Sequence, residues 1–488
     1  MLYTQLVGYD AIPTKILPSI KKGRKLSSQL LYFWHVMRIS QITGAILILF
    51  MFANITSAAA QDTWSLKRCV DYALQNSIQV KQQEVQKRLA ELTLKQSQLS
   101  RLPNANGTIQ GGYSDGRAAS LLDNSYVNQS VFSSSGQLSA DADIFGWFGK
   151  QHTIAANRLD AASNSFLLLK ARNDLAFNVT TAFLKILLDK EQVKINEVNL
   201  KQTTQNLENT KKLVIAGSVP ESNQADLEAQ LALDSSTLVT AQNTVILSTL
   251  QLKAYMNLGF EIAFQPEIPE NISDIPLAPI AEMSPEMVYS VATSTYPQLK
   301  SDELRIESAT RNLKSARAGL YPKLTSYGNL YTRYANNYYI DPIKQITMPF
   351  GQQIDNTFQK DIGLSLRIPL FNGWQQRATV AKAKEEVFNR KLTRDLDNQK
   401  LKQDIYTAHA NAIAALQKLS ATSKGVEAAQ KSYDFATKRF NIGLMNTIDY
   451  ITTQSKLFKA QIDKVSAQYD YIFKMKLLEF YRDQKISL

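Results

Sequence analysis

The stretch FQKDIGLSLRIPL, residues 358–370, decides how the chain must fold. Phe358, Ile362, Leu364, Leu366, Ile368 and Leu370 fall on one side of an extended chain. Gln359, Asp361, Gly363, Ser365 and Arg367 take the other, with Lys360 the single break. Successive side chains of a strand point to opposite faces, so this segment reads as a strand with one apolar and one hydrated surface. A half-exposed soluble sheet alternates in the same way. Length separates the two: about 13 residues at ~3.3 Å each span over ~40 Å, enough for a tilted strand to cross an outer membrane. On that reading Ile362, Leu364, Leu366 and Ile368 face lipid.

The same period recurs upstream. In Val131–Ile144, Ser133, Ser135, Gln137, Ser139, Asp141 and Asp143 share a face opposite Phe132, Leu138, Ala140, Ala142 and Ile144. Partner strands are expected at about 104–114 and 323–334, which carry Tyr113, Tyr327, Tyr331 and Tyr334. Four strands per chain cannot close a barrel, which needs about eight. Open edges cannot face lipid either, because their backbone groups have no water to bond. Several chains must therefore share one barrel: a dimer makes one filled with side chains, a trimer one with room for water.

Between the strands lie very long helices. From Lys150 to Ala216 neither Gly nor Pro occurs, so a continuous helix would run roughly 100 Å. Apolar residues recur every seventh position: Val193, Leu200, Leu207, Val214; then Leu231, Leu238, Val245, Leu252. Val426, Tyr433 and Phe440 repeat the spacing, as do Ile451, Phe458, Val465 and Ile472. A strict seven-residue repeat keeps one seam against a neighbour and imposes left-handed coiling. Between the seams the residues are polar, which suits helices wetted on two faces.

The chain is also a duplication. Residues 65–103 lie over 284–322 without a gap, matching Ala73/Ala292, Gln79/Gln298, Glu84/Glu303, Leu94/Leu313 and Pro103/Pro322. Further on, Phe145/Phe371, Ala182/Ala408, Lys212/Lys438 and Gly217/Gly443 coincide. Each half reads helix, two strands, long helix, glycine break, long helix. The expected division is 61–265 and 284–488, joined at 266–283 by a linker carrying Pro266, Pro269, Pro276 and Pro279.

Residues 1–60 read as an address. Arg38 precedes the apolar run Ala45–Phe52, and Ala58-Ala59-Ala60 follows, the pattern of a secretory signal peptide cut after Ala60. Met37 is a sufficient start for it, leaving 1–36 as an upstream extension. The run is too short for a transmembrane anchor. Of the net charge of +12, these residues hold five, leaving +7 over the remaining 428, too diffuse for nucleic acid. Beyond residue 60 only His152, His409 and Cys69 remain as soft ligands, widely scattered, so no metal or other cofactor is expected. The two histidines read as surface or interhelix residues. No catalytic order or phosphate-binding loop appears, and no enzyme activity is expected.

At this point the pattern resembles the TolC-like outer-membrane efflux family over essentially all of 62–488. The resemblance rests on WSLKRCVDYALQNSIQV (64–80), the joints SRLPNANG (100–107), AGLYPKLTSYG (318–328) and LSLRIPLFNGW (364–374), and the paired VIAGSVPESNQADLEA (214–229) and FNIGLMNTIDYI (440–451). It implies a mainly α chain carrying a membrane β-barrel. As a homotrimer, four strands per chain make twelve, continued by an α-helical tunnel across the periplasm. The partners implied are an inner-membrane pump and a periplasmic adaptor, with outer-membrane lipid around the barrel. The chain is then a passive exit duct for efflux or type I secretion. A soluble periplasmic coiled-coil scaffold or adaptor is the alternative.

The glycine breaks carry the mechanism. Gly217 and Gly443 end long helices, and within ten positions an acid, Asp226 or Asp449, is expected before the returning helix. The plain role is a helix C-cap followed by acids near a helix start. The resemblance instead puts Gly217, Gly443 and Phe440 at the periplasmic tip that meets the adaptor. There Asp226 and Asp449 would form rings of three carboxylates that attract cations. The chain departs from the family pattern at Thr452, often acidic, and at Met445, where a basic residue can latch the tip. Pro103, Pro322 and Pro369 mark the joints between helix and strand.

Overall fold

A computed structural model of the chain describes residues 63–120, 124–268, 275–341, 343 and 346–484. The amino-terminal address and linker residue Pro269 lie outside the described residues.

Helix α1 (Leu66–Asn76) opens on Ser65, whose hydroxyl accepts the Arg68 N–H at 3.3 Å, and α2 (Ile78–Leu99) follows. Strands β2 (Asn104–Ala119) and β3 (Tyr126–Phe145) come next, then the 67-residue helix α3 (Gly149–Ile215) and its return α4 (Glu221–Met256). A two-residue parallel pairing of β1 (Thr63–Trp64) with β4 (Gln265–Pro266) ties the start of this half to its end. The order then recurs: α5 (Pro285–Thr295), α6 (Pro297–Ala318), β5 (Lys323–Ala335), β8 (Gln359–Arg367), another 67-residue helix α8 (Gln375–Asn441), and α9 (Thr447–Asp483). Both α5 and α6 begin 219 residues after α1 and α2, and both α8 and α9 begin 226 after α3 and α4.

The second half's extra length lies between β5 and β8. There the small pair β6 (Tyr339–Asp341) and β7 (Ile346–Thr347) precedes helix α7 (Phe350–Thr357). Buried Gln353 pins this insert: its amide oxygen accepts from Ala335 N–H at 2.9 Å and its nitrogen donates to Met348 O at 2.7 Å.

The four long strands form one antiparallel sheet in the order β2-β3-β5-β8, so the hairpins of the two halves join along β3 and β5. Its outer strands, β2 and β8, are edges. Two strand expectations change. Strand β8 is shorter than 358–370: Phe358 caps α7, and Ile368 lies past the strand end, because Pro369 offers no N–H to extend the ladder. Strands β2 and β3 are longer than expected: Asp115–Ala119 pairs with Tyr126–Ser130, because the backbone ladder needs no apolar alternation and these residues show none.

Helices α3 with α4, and α8 with α9, form two coiled hairpins. Among the seven-residue seam positions Leu207, Leu252, Tyr433, Phe458 and Ile472 are buried and the others half-buried. Two large apolar clusters hold the helical body, with a smaller third at Tyr433, Ala436, Tyr450 and Leu457. Val179, Phe183, Ile186, Leu252 and Ile472 belong to one; Val288, Ile405, Met475 and Leu478 belong to the other. Helix α9 contributes to both, so it staples the halves together. Each such side chain stabilises by about 1.5–3 kcal/mol on burial.

Candidate functional site

Register places the sheet's chemistry. Leu366 lies opposite Leu324, Leu364 opposite Ser326 and Ile362 opposite Gly328; across β3, Leu330 meets Leu138, and Leu138 meets Gly107 on β2. Directly opposed residues point the same way. Ile109, Leu138, Leu330, Ile362, Leu364 and Leu366 therefore share one face, and it is uncovered: Ile109 is 88% and Ile362 90% exposed. The opposite face is polar, with Asp141 across from Tyr327 and Asn329 donating to Asp361 at 2.7 Å. A wide exposed apolar face next to two open strand edges is stable in neither water nor lipid as a single chain.

The joints lie at one end of this sheet. Pro103 and Pro322 each stand one residue before a strand, and Pro369 two residues after β8. Entry into the long helices uses left-handed backbone in both halves: Trp147 and Phe148 have φ of 50° and 61°, Gly373 and Trp374 of 60° and 65°. The Trp147 ring lies 4.7 Å from that of Tyr321, tilted by 33°, and its N–H donates to Pro322 O at 2.9 Å. Phe145 joins Trp147 to Phe148 at 5.5 and 6.0 Å, and Phe148 and Trp374 are both exposed, as aromatics are at a membrane interface. Sequence reading missed these aromatics, although W and F in both joints were the available signal.

At the far end of each long helix the reversal is built alike. Gly217 (φ 70°) donates to Val214 O at 2.9 Å while Ser218 donates to Leu213 O at 2.9 Å. Gly443 (φ 73°) donates to Phe440 O at 3.0 Å while Leu444 donates to Arg439 O at 2.8 Å. Both are complete Schellman caps, in which glycine supplies the left-handed residue. The acids lie inside the returning helices, not before them as expected, because those helices start early, at Glu221 and Thr447, and the two acids are not alike. Asp449 sits in the first turn of α9, its N–H donating to the Asn446 side chain and its carboxylate accepting back from Asn446, both at 2.7 Å. Asp226 is half-buried in the second turn of α4. In the duplicated frame Asp226 corresponds to Thr452, and Asp449 to Asn223, so each half supplies one acid at a different turn.

Behind the tip a polar network crosses all four helices, which periodicity alone could not reveal. Tyr433 and Tyr450 share a hydroxyl–hydroxyl bond of 2.8 Å; Gln202 donates to Tyr433, and Asn206 to Tyr450 at 3.3 Å. Gln454 donates to Thr203 at 3.1 Å, and Thr203 to buried Asp234 at 2.7 Å. Burial, then the bond to Tyr450, pushes the Tyr433 hydroxyl well above its ordinary range. Among the described residues no group of three or more His, Cys, Asp or Glu could hold a metal, and no helix is long and apolar enough to cross a membrane.

Residues 288–474 match the family described as Outer membrane efflux protein. The chain is 21% identical to the outer membrane efflux protein BepC of Brucella suis over 67% of each chain. It is 24% identical to the pyoverdine export outer membrane protein OpmQ of Pseudomonas aeruginosa, over 74% of this chain and 72% of that one. Among solved structures, CusC superposes with a TM-score of 0.71 at 15% identity, covering 86% of this chain and 91% of that one. The outer membrane protein VceC of Vibrio cholerae superposes at 0.70 and 15%, covering 86% and 95%.

Proposed function

We propose, from the premise that the chain belongs to the TolC-like outer-membrane efflux family, that three copies close one barrel and one tunnel and act as a passive exit duct. The chain is an outer-membrane efflux channel that extends into the periplasm. The observation that carries the trimer is the sheet, with four long strands, an exposed apolar face and an unpaired edge at β2 and at β8. Setting β8 of one copy beside β2 of the next removes every edge, turns Ile362, Leu364 and Leu366 to lipid, and leaves the polar face around water. The uncovered apolar face weighs against a soluble scaffold. Ile368, outside the strand, belongs to the interfacial joint.

In this reading Gly217, Gly443 and Phe440 shape the tip that docks a periplasmic adaptor and, through it, an inner-membrane pump. Asp226 and Asp449 line the aperture at neighbouring levels. The duct catalyses nothing and needs no cofactor; the pump chooses the cargo. The division into 61–265 and 284–488 supports this geometry, because each half supplies two strands and one coiled hairpin.

Detergent-extracted protein should have the native mass of three chains and conduct ions in planar bilayers. Asp449→Asn keeps an acceptor for the Asn446 amide while removing three charges from the aperture, so cation selectivity and block by multivalent cations should fall. A monomer that needs no detergent would refute the duct. Unchanged selectivity in both Asp449→Asn and Asp226→Asn would place the aperture elsewhere.

A further inference from the structure

Where the sheet meets the helices, a cavity of about 650 Å³ is lined by four cations, Arg101, Lys150, Lys323 and Arg367, and a single carboxylate, Asp143. Register sets Lys323 directly opposite Arg367, and like charges in that position destabilise a sheet. Lys323 turns away to Asp143 at 2.7 Å, and Lys150 holds the other Asp143 oxygen at 2.8 Å. That accounts for the one acid. Arg101 and Arg367 have no carboxylate among the described residues. Closing the barrel would not supply one, because the polar-face residues at the matching end of β2 are Asn104 and Asn106.

The two cations on the sheet, Lys323 and Arg367, also share a direction. Asp143, Thr325, Lys323, Ser365 and Arg367 belong to the polar face, opposite Leu324, Leu364 and Leu366. That is the face turned to the duct interior. A stability cost kept at a water-filled floor, with two guanidiniums unpaired, is the arrangement that recognises oxyanions by charge-assisted, forked hydrogen bonds.

We propose that the floor of the barrel is an anion-binding station, at which carboxylate or phosphate groups of solutes in transit pause on Arg367 and Arg101. The station rests on the duct reading above, and its test separates the two.

Purified trimer in planar bilayers is titrated with inorganic phosphate on one side and, in a second arm, with citrate. Read as total conductance in potassium chloride, whichever ion carries the current, phosphate and citrate should both block the unaltered protein. Arg367→Gln should weaken that block about tenfold, the loss of one charge-assisted hydrogen bond, and the double change with Arg101→Gln should abolish it. Lys360→Gln, an equal loss of charge on the opposite face, should leave it unchanged. Block by phosphate alone would mark free inorganic anion as the ligand, and block by both would mark any oxyanion-bearing solute. An unaltered block in the folded, conducting double variant overturns the station. So does a Lys360→Gln effect as large as that of Arg367→Gln. A trimer that never conducts overturns the duct reading itself.

Discussion

Phe440 stacks on Tyr450 with ring centroids 4.3 Å apart and planes 9° apart, joining the last turn of α8 to the first turn of α9 across the Gly443 reversal. Tyr450 is 2% exposed, and its hydroxyl meets both Tyr433 and Asn206. One ring thus ties the second hairpin's tip to α3 of the first. Tyr450→Phe keeps the stack and leaves Tyr433 and Asn206 short of a partner, at about 1–3 kcal/mol. Hydrogen exchange should quicken around 199–206 and 446–454 while the strands stay protected. Uniform protection would mean the hydroxyl bonds contribute nothing to the tip.

The two Schellman caps form a matched pair. Nothing lies within 4 Å of a Cβ built at Gly217 or Gly443, so substitution there costs backbone strain and no steric clash. Alanine should cost about 1–2 kcal/mol at either site, and Gly443→Val more, since a β-branched residue resists left-handed backbone. Thermal melts of Gly217→Ala and Gly443→Ala should shift by similar amounts. Gly443→Val should still insert and conduct yet fail to support export. Unequal alanine shifts would mean the two turns bear different loads.

Depth along β8 should grade the proposed lipid face. Leu364 is near the middle of Gln359–Arg367, whereas Leu366 is one residue from its end, beside the aromatic joint. Leu364→Arg should cost about 2–4 kcal/mol, as at a bilayer midplane, and Leu366→Arg about 0–1 kcal/mol, as at an interface. Assembly yield in lipid vesicles measures both. Equal yields would contradict the depth assigned to β8.

A buried acid makes helix packing sensitive to pH. Asp302 on α6 is 3% exposed, and its Oδ2 has no hydrogen-bond partner. Gln298 donates to Asp302 at 3.1 Å and to Asp397 on α8 at 3.0 Å. Burial first, then the Asp397 charge, raises the Asp302 pKa to about 6 from an ordinary 3.8. The native state therefore binds this proton more tightly than the unfolded chain, so the stability present below pH ~4 declines as pH rises to ~6. Asp302→Asn should melt higher at pH 7.5 and flatten that decline. A pH profile parallel to the unaltered protein would refute it.

Much of this architecture is legible locally. The alternation around Leu364, the glycine-free run from Lys150 to Ala216 and the coincidence of Gly217 with Gly443 are written in neighbouring residues, because strand period, helix propensity and left-handed glycine are short-range properties. Strand ends were less legible. Ile368 keeps the apolar alternation past the point where Pro369 stops the ladder, and Asp115–Ala119 and Tyr126–Ser130 pair with no apolar period to announce them.

The sequence by itself determined a duplicated chain of long coiled helices and amphipathic strands too few to close alone, since periodicity and hydrogen-bond demand need no partner's coordinates. Only the tertiary structure decided which residues meet. Tyr433, Tyr450 and Asn206 come together from three helices, and Lys323 faces Arg367 across forty-three intervening positions. Such contacts depend on helix rotation, strand register and hairpin docking. Those are set by the summed packing of many side chains, which no local pattern encodes.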